Sequence, residues 1–263
     1  MEIPVLLYHD VGSAPASRSA RRFRVSPSLL DEHIAALTDR GYCIRLASDI
    51  PGLAHAGATA PTAVLTFDDA FTSFLDAAAP VLDRHGVRAS LFVPTAYVGS
   101  YAAWMAPEER RHHAIASWED LRAVAAAGHE VASHGHAHRD LDTMTPALLH
   151  EDLRRSRRLL EDAVGRPVTS LAYPFGYHTK RVRTAARHAG YAVGCQVGYD
   201  VHAAGADVWQ VRRLLVGPDL SPEGLLSRIE GGGPTLVERG RRLSRFPWRM
   251  ARRARTVQAR AAA

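Results

Sequence analysis

The chain has 263 residues, 46% of them hydrophobic and 23% charged, a composition that supports one substantial core and excludes a disordered polyelectrolyte. Its formal net charge is +6, but residues 238–263 hold nine Arg and one acid, Glu238, a local +8 that leaves −2 for residues 1–237. The basicity therefore belongs to the end of the chain, which argues against a nucleic-acid-binding body. Two cysteines, Cys43 and Cys195, are too few for a disulfide scaffold or a thiolate-rich zinc site, and both are expected to be buried free thiols.

Along the chain, β-rich runs alternate with helical patterns. The first run, Val5–Tyr8, ends at His9. Ser26-Pro27 has the form of an N-cap followed by a first-turn proline, Leu30, Ile34 and Leu37 share one helical face, and Gly41 stops that helix before a strand at Tyr42–Leu46. Thr62–Phe67 reads as a strand, Thr72–His85 as a helix closed by Gly86, and Ala89–Val93 as the next strand. Ser117 with Asp120 makes a capping box for a helix that Gly128 ends, ahead of a strand at Glu130–Ser133. Thr145-Pro146 opens a longer helix to Gly165, before a strand at Val168–Tyr173. A helix at Thr179–His188 and strands at Tyr191–Val197 and Val208–Val216 complete the pattern. Such βα units imply a parallel sheet, and seven or eight of them suffice to close a barrel. The expected fold is α/β, a distorted (β/α)7-type barrel: a single domain over residues 1–230, then a Gly-Pro hinge from Gly231 to Pro234 and an Arg-rich tail to residue 263.

Active sites of such barrels gather at the C-terminal ends of the strands. Three clusters fall there: Asp68-Asp69 after the Thr62–Phe67 strand, Ser133-His134-Gly135-His136-Ala137-His138, and Tyr173-Pro174-Phe175-Gly176. Two imidazoles and a carboxylate suit a divalent metal and leave a position open for water. With two adjacent carboxylates, one can bind the metal while the other acts as a base toward water.

Thr66-Phe67-Asp68-Asp69-Ala70-Phe71, Ser133-His134 with His138-Arg139-Asp140-Leu141, and Ala172-Tyr173-Pro174-Phe175-Gly176 resemble the signatures of the polysaccharide deacetylases, the NodB-homology or carbohydrate esterase family 4 domain. The opening Pro4-Val5-Leu6-Leu7-Tyr8-His9-Asp10-Val11 is similar to the start of the branch that acts on poly-N-acetylglucosamine. Gly128-His129-Glu130 and Arg213-Leu214 extend the likeness over residues 3–216. The resemblance implies a metal-dependent enzyme that hydrolyses a non-peptide amide, removing N-acetyl groups from an N-acetylhexosamine-containing glycan. It assigns Asp69, His134 and His138 to the metal, most often Zn2+, Asp68 to the role of general base and His9 to that of general acid. The Tyr173–Phe175 turn would supply a backbone N–H to the oxyanion. Many members carry Arg where Ala172 stands; Arg213, or less directly Arg212, would replace it in holding Asp68 ionised. Trp104, on a loop at 97–115, would pack under that loop or offer a face to a sugar ring, and His136 would be a solvent-facing neighbour of the ligands.

The same metal site would also serve an O-acetyl esterase or a hydrolase of non-sugar amides, and a catalytically silent carbohydrate-binding protein is the alternative from another class. The N-terminus shows neither a basic n-region nor a long apolar run, so a cytoplasmic location is expected, with residues 238–263 forming either a solvated tail or a peripheral contact to an anionic membrane surface.

Overall fold

The structure, a computed structural model, describes residues 2–13, 21–53, 60–198 and 200–232. Its strands are β1 (Glu2–Ile3), β2 (Val5–Tyr8), β3 (Asp10–Val11), β4 (Arg24–Val25), β5 (Cys43–Arg45), β6 (Thr62–Phe67), β7 (Ser90–Val93), β8 (Glu130–Ser133), β9 (Ser170–Ala172), β10 (Val193–Cys195), β11 (His202–Ala203) and β12 (Leu214–Leu215). The helices are α1 (Pro27–Asp39), α2 (Ile50–Leu53), α3 (Ala79–Arg84), α4 (Pro107–Arg110), α5 (Trp118–Ala126), α6 (Pro146–Val164), α7 (Lys180–His188) and α8 (Pro222–Ser227).

Seven strands pair in the order β10-β9-β8-β7-β6-β2-β12, all parallel. Two isolated parallel bridges, Cys195↔Val211 and Gly198↔Leu214, join the ends of the sheet and close it on itself. β5 adds to one flank of β6 at Thr62–Val64, below the place where β7 takes over at Thr66 and Phe67, which distorts the ring. The distorted (β/α)7 barrel expected from the sequence is the fold observed.

Period-2 alternation divides the core in two. Val5, Val64, Phe92, Ala132, Ala172 and Val193 fill the barrel, while Leu6, Leu65, Leu91, Val131 and Leu171 point outward under the helices. There they meet Leu30, Ile34 and Leu37 of α1 and Leu149, Leu153 and Leu160 of α6, all fully buried; burying a side chain of this size contributes about 1.5–3 kcal/mol. Helix starts follow the sequence signals: Ser26, Ser117, Thr145 and Thr179 each accept a first-turn N–H, and Gly165 ends α6 in the left-handed region.

Three local readings are corrected. The helix expected over Thr72–His85 begins as a π-turn at Phe74–Ala78, where Ala79 N–H donates to Phe74 O; Pro80 has no N–H to give, and the widened turn accommodates it. Val208–Gln210 forms a 3-10 turn capped by Asp207, which shortens the last expected strand to Leu214–Leu215. Cys43 is exposed, because β5 covers the flank of β6 without being covered itself, whereas Cys195 is buried as expected. Gly231 and Gly232 end a π-helical turn, Arg228–Gly232, and the rest of the expected hinge and the whole Arg-rich tail lie outside the described residues.

Candidate active site

The C-terminal ends of the strands surround an open cleft of about 570 Å³, whose lining includes His9, Asp68, Asp69, His134 and His138. Successive residues of a strand point to opposite faces, so two adjacent carboxylates share one cleft only if the backbone turns between them. It does so here. Asp69 and Ala70 have φ of 74° and 51°, and the other two non-glycine residues with positive φ among those described are His138 at 46° and Phe175 at 59°. All four stand at this site, where the surrounding packing holds backbone conformations that are costly elsewhere.

Asp68 is clamped. Arg213 Nη1 and Nη2 donate to its two carboxylate oxygens, each at 2.7 Å, and both side chains are buried. Arg213 is in turn oriented by Thr66 Oγ1 and by the Gln196 carbonyl. Burial would raise the Asp68 pKa, but the Arg213 guanidinium outweighs it and holds the carboxyl below its ordinary value. Arg212, the alternative, is exposed and pairs with Asp200. Arg213 reaches Asp68 from the segment just before β12.

Ligand atoms of Asp69, His134 and His138 lie within 4.8 Å of one another. Asp69 Oδ1 is 3.6 Å from His134 Nε2 and 3.2 Å from His138 Nε2, and no hydrogen-bond donor reaches that buried oxygen among the described residues. His134 Nδ1 donates to the Ala172 carbonyl at 2.8 Å, so its Nε2 carries the lone pair toward the cleft. Burial pushes the His134 pKa down to about 4, leaving a neutral imidazole. The neutral His134 imidazole, the His138 imidazole and the carboxylate of Asp69 with its orphaned oxygen facing them fit a divalent cation of the zinc type.

The loop that carries both histidines is held by residues that the sequence reading missed. Asp152 of α6 accepts from the N–H groups of His136 and Ala137 at 2.8 and 2.9 Å, and Ser156 donates to Gly135 O. Gly135 has φ 72°, and a Cβ there would come within 3.0 Å of Asp152 Oδ1, so the tight turn requires glycine. His136 is half-buried and bonded to Thr95 Oγ1 at 2.9 Å, not turned to solvent as expected. The i, i+4 polar pattern of α6 was the available signal: Asp152 and Ser156 fall on the same face as Leu149, Leu153 and Leu160.

Phe175 lines the cleft, 42% exposed, and its N–H has no acceptor among the described residues, while those of Gly176 and Tyr177 go to Tyr173 and Pro174 carbonyls. Tyr173 does not join it. Its side chain is fully buried, its hydroxyl donates to Trp209 O, and its N–H donates to Cys195 O, because strand alternation sends it under the helices. Trp104 lines the cleft, but one face of its indole is stacked on His138 and is not open to a sugar.

His9, half-buried, sits across the cleft against Phe23, with its Nδ1 buried and without a partner among the described residues. The next residue, Asp10, accepts from Arg24 Nε at 2.5 Å and Ser73 Oγ at 2.7 Å, and lies 3.5 Å from His113 Nε2. Burial works against a His113 cation, but the Asp10 carboxylate and the Glu109 carbonyl outweigh it and raise its pKa. Asp10 thereby ties the segment behind His9 to the 97–116 loop, a link between distant residues that the sequence does not display.

The sequence profile of the family described as polysaccharide deacetylase matches residues 55–194, just over half of the chain. The chain belongs to the polysaccharide deacetylase family. Membership assigns it to hydrolases that remove acetyl groups from sugars. Among relatives, YxkH of Bacillus subtilis, described as a polysaccharide deacetylase, is 24% identical over 87% of this chain and 76% of its own length. A chitooligosaccharide deacetylase of Bradyrhizobium is 31% identical over 49% of this chain and 52% of its own. In fold, the deacetylase is similar to Streptococcus pyogenes PplD (TM-score 0.76, 22% identity, 88% of this chain and 99% of that one) and to IcaB of Ammonifex degensii (0.71, 23%, 88% and 97%).

Proposed function

We propose that this family member is a metal-dependent N-deacetylase of N-acetylhexosamine-containing glycans, using Asp68 as base and His9 as acid on opposite sides of the acetamide. The observation that carries the reading is the division of labour between adjacent carboxylates: Asp68 is neutralised by Arg213, whereas Asp69 faces two imidazoles with a lone pair unfilled. The relative whose description names a chitooligosaccharide substrate supports the sugar class.

Asp69, His134 and His138 would hold the ion. A divalent cation there, zinc by family resemblance, supplies Lewis acidity toward the acetyl carbonyl and makes water reactive at neutral pH. Asp68, held ionised by Arg213, takes the proton from the attacking water. The free Phe175 N–H donates to the developing oxyanion. His9 delivers a proton to the amine nitrogen, which leaves poorly as an anion. Phe23, Met105 and Tyr177 line the cleft and flank this polar set with apolar surface suited to a sugar ring.

Acetate release from N-acetylglucosamine oligomers, measured on protein stripped of metal and then reloaded with Zn2+, tests the reading. Activity should return with metal, and Asp68→Asn should lower kcat by about 10²–10⁴-fold while leaving metal content intact. Release from O-acetyl xylan alone, with the N-acetyl oligomers untouched, would replace it with the esterase reading.

A further inference from the structure

The two imidazoles of the metal set are held in different ways. His134 is fixed by a hydrogen bond from Nδ1 to the Ala172 carbonyl. His138 has no such bond: its Nδ1 is buried and meets no acceptor among the described residues. A ligating histidine ordinarily has its ring orientation and tautomer set by a partner on the other nitrogen, so His138 must be oriented by something else. The geometry supplies it. The Trp104 indole stacks on the His138 ring with centroids 3.9 Å apart and planes 24° apart, and the Phe175 ring approaches edge-on at 4.7 Å and 70°. The backbone contributes as well, with His138 at φ 46°.

Trp104 is itself fixed. Tyr97 meets it edge-on at 5.1 Å, and the Tyr97 hydroxyl donates to Ala137 O in the histidine loop. Thr95 and Ala96 N–H groups donate to the carbonyls of Gly135 and His136, so the stretch from 95 to 104 is laid along the ligand loop. Further on, Ala102 N–H donates to His113 O, and His113 faces Asp10 beside His9. The 97–116 loop therefore touches the metal ligands at one end and the segment of the proposed acid at the other.

We propose that Trp104 is a positioning residue for the metal: it replaces the missing hydrogen bond at His138, and ion binding and the seating of the 97–116 loop are coupled through that stack. The proposal rests on the metal-site reading above. Coupling is reciprocal, so an ion that fixes His138 also fixes the indole on it.

Zn2+ affinity of the metal-stripped full chain, measured by competition with a chromophoric chelator, tests this without reference to activity. Loss of a group that orients a metal ligand typically weakens binding about 10- to 100-fold, and Trp104→Ala should fall in that range, while Trp104→Phe, which keeps a stacking ring, should stay within about threefold of the parent. The parent chain itself must bind Zn2+; if it does not, the metal-site reading fails and the stack has nothing to position. If the parent binds and Trp104→Ala binds within twofold of it, the proposal is overturned. Hydrogen exchange of the parent chain gives a readout independent of any variant: Zn2+ should slow exchange in the amides of 95–105, and unchanged exchange there would also overturn the coupling.

Discussion

Arg213 is the residue on which the state of the site depends most. A buried carboxylate without its cation would take up a proton, because desolvation alone raises its pKa. Arg213→Ala is therefore expected to move the acidic limb of the pH–rate profile upward, since Asp68 must lose its proton before it can serve as base. The same change leaves a buried charge uncompensated and should cost about 3–5 kcal/mol in urea unfolding. Arg212→Ala, at an exposed ion pair, should leave the limb in place and change stability by less than about 1 kcal/mol. An Arg213→Ala enzyme with an unshifted profile would remove Asp68 from the role of base. Neighbouring arginines in one dipeptide thus have opposite fates, decided by which of them faces the barrel interior.

At the scale of elements, the histidine loop depends on α6. Asp152 satisfies two N–H groups that would otherwise be buried without acceptors, each worth about 1–3 kcal/mol when orphaned. Asp152→Ala is expected to destabilise the fold by that order and to weaken Zn2+ binding at the proposed metal site, because the loop between His134 and His138 loses its fastening. Asp162→Ala, exposed on the same helix, should stay within about 0.5 kcal/mol of the parent. Equal metal affinity in the Asp152 variant would show that the loop keeps its shape without α6. Gly176 belongs to the same scale: at φ 75°, a Cβ would come within 2.6 Å of the Val197 backbone nitrogen, so the turn that presents the Phe175 N–H accepts only glycine.

For the molecule as a whole, buried histidines set the response to acid. His33 joins three elements, accepting from the Tyr8 hydroxyl at Nδ1 and donating from Nε2 to Leu220 O. Burial lowers the pKa of His33, His129 and His202 below the usual 6.5, so they stay neutral in the fold. As the pH falls through 6.5, the unfolded chain binds protons that the folded chain refuses, and stability present above that pH is lost. His113, with its raised pKa, acts in the opposite sense but is one group against those three, with His134 and His136, also lowered by burial, on their side. Chemical unfolding midpoints should therefore drop between pH 7.5 and pH 5.5, and His33→Gln should flatten that drop; a midpoint independent of pH would refute the account. No helix among the described residues is long and apolar enough to cross a membrane. Membrane contact remains a proposal resting on residues 238–263, where each basic side chain near an anionic surface contributes about 1 kcal/mol. Deleting them should abolish co-sedimentation with phosphatidylserine vesicles, and undiminished sedimentation would assign any binding to another surface.

Local chemistry made most of the fold and much of the site legible in the sequence. Caps at Ser26, Ser117 and Thr145, glycine stops and alternating apolar runs act over a few residues, so the βα order and the strand ends bearing Asp68-Asp69 and His134–His138 could be read directly. The partnerships could not. That Arg213 and not Arg212 meets Asp68, that Tyr173 turns out of the barrel and under the helices, that Asp152 fastens the histidine loop and that Trp104 lies on His138 are contacts between residues far apart in the chain or choices of strand face. Only closure of the barrel decides them, because side-chain periodicity says which residues share a face but not which face the closed sheet encloses.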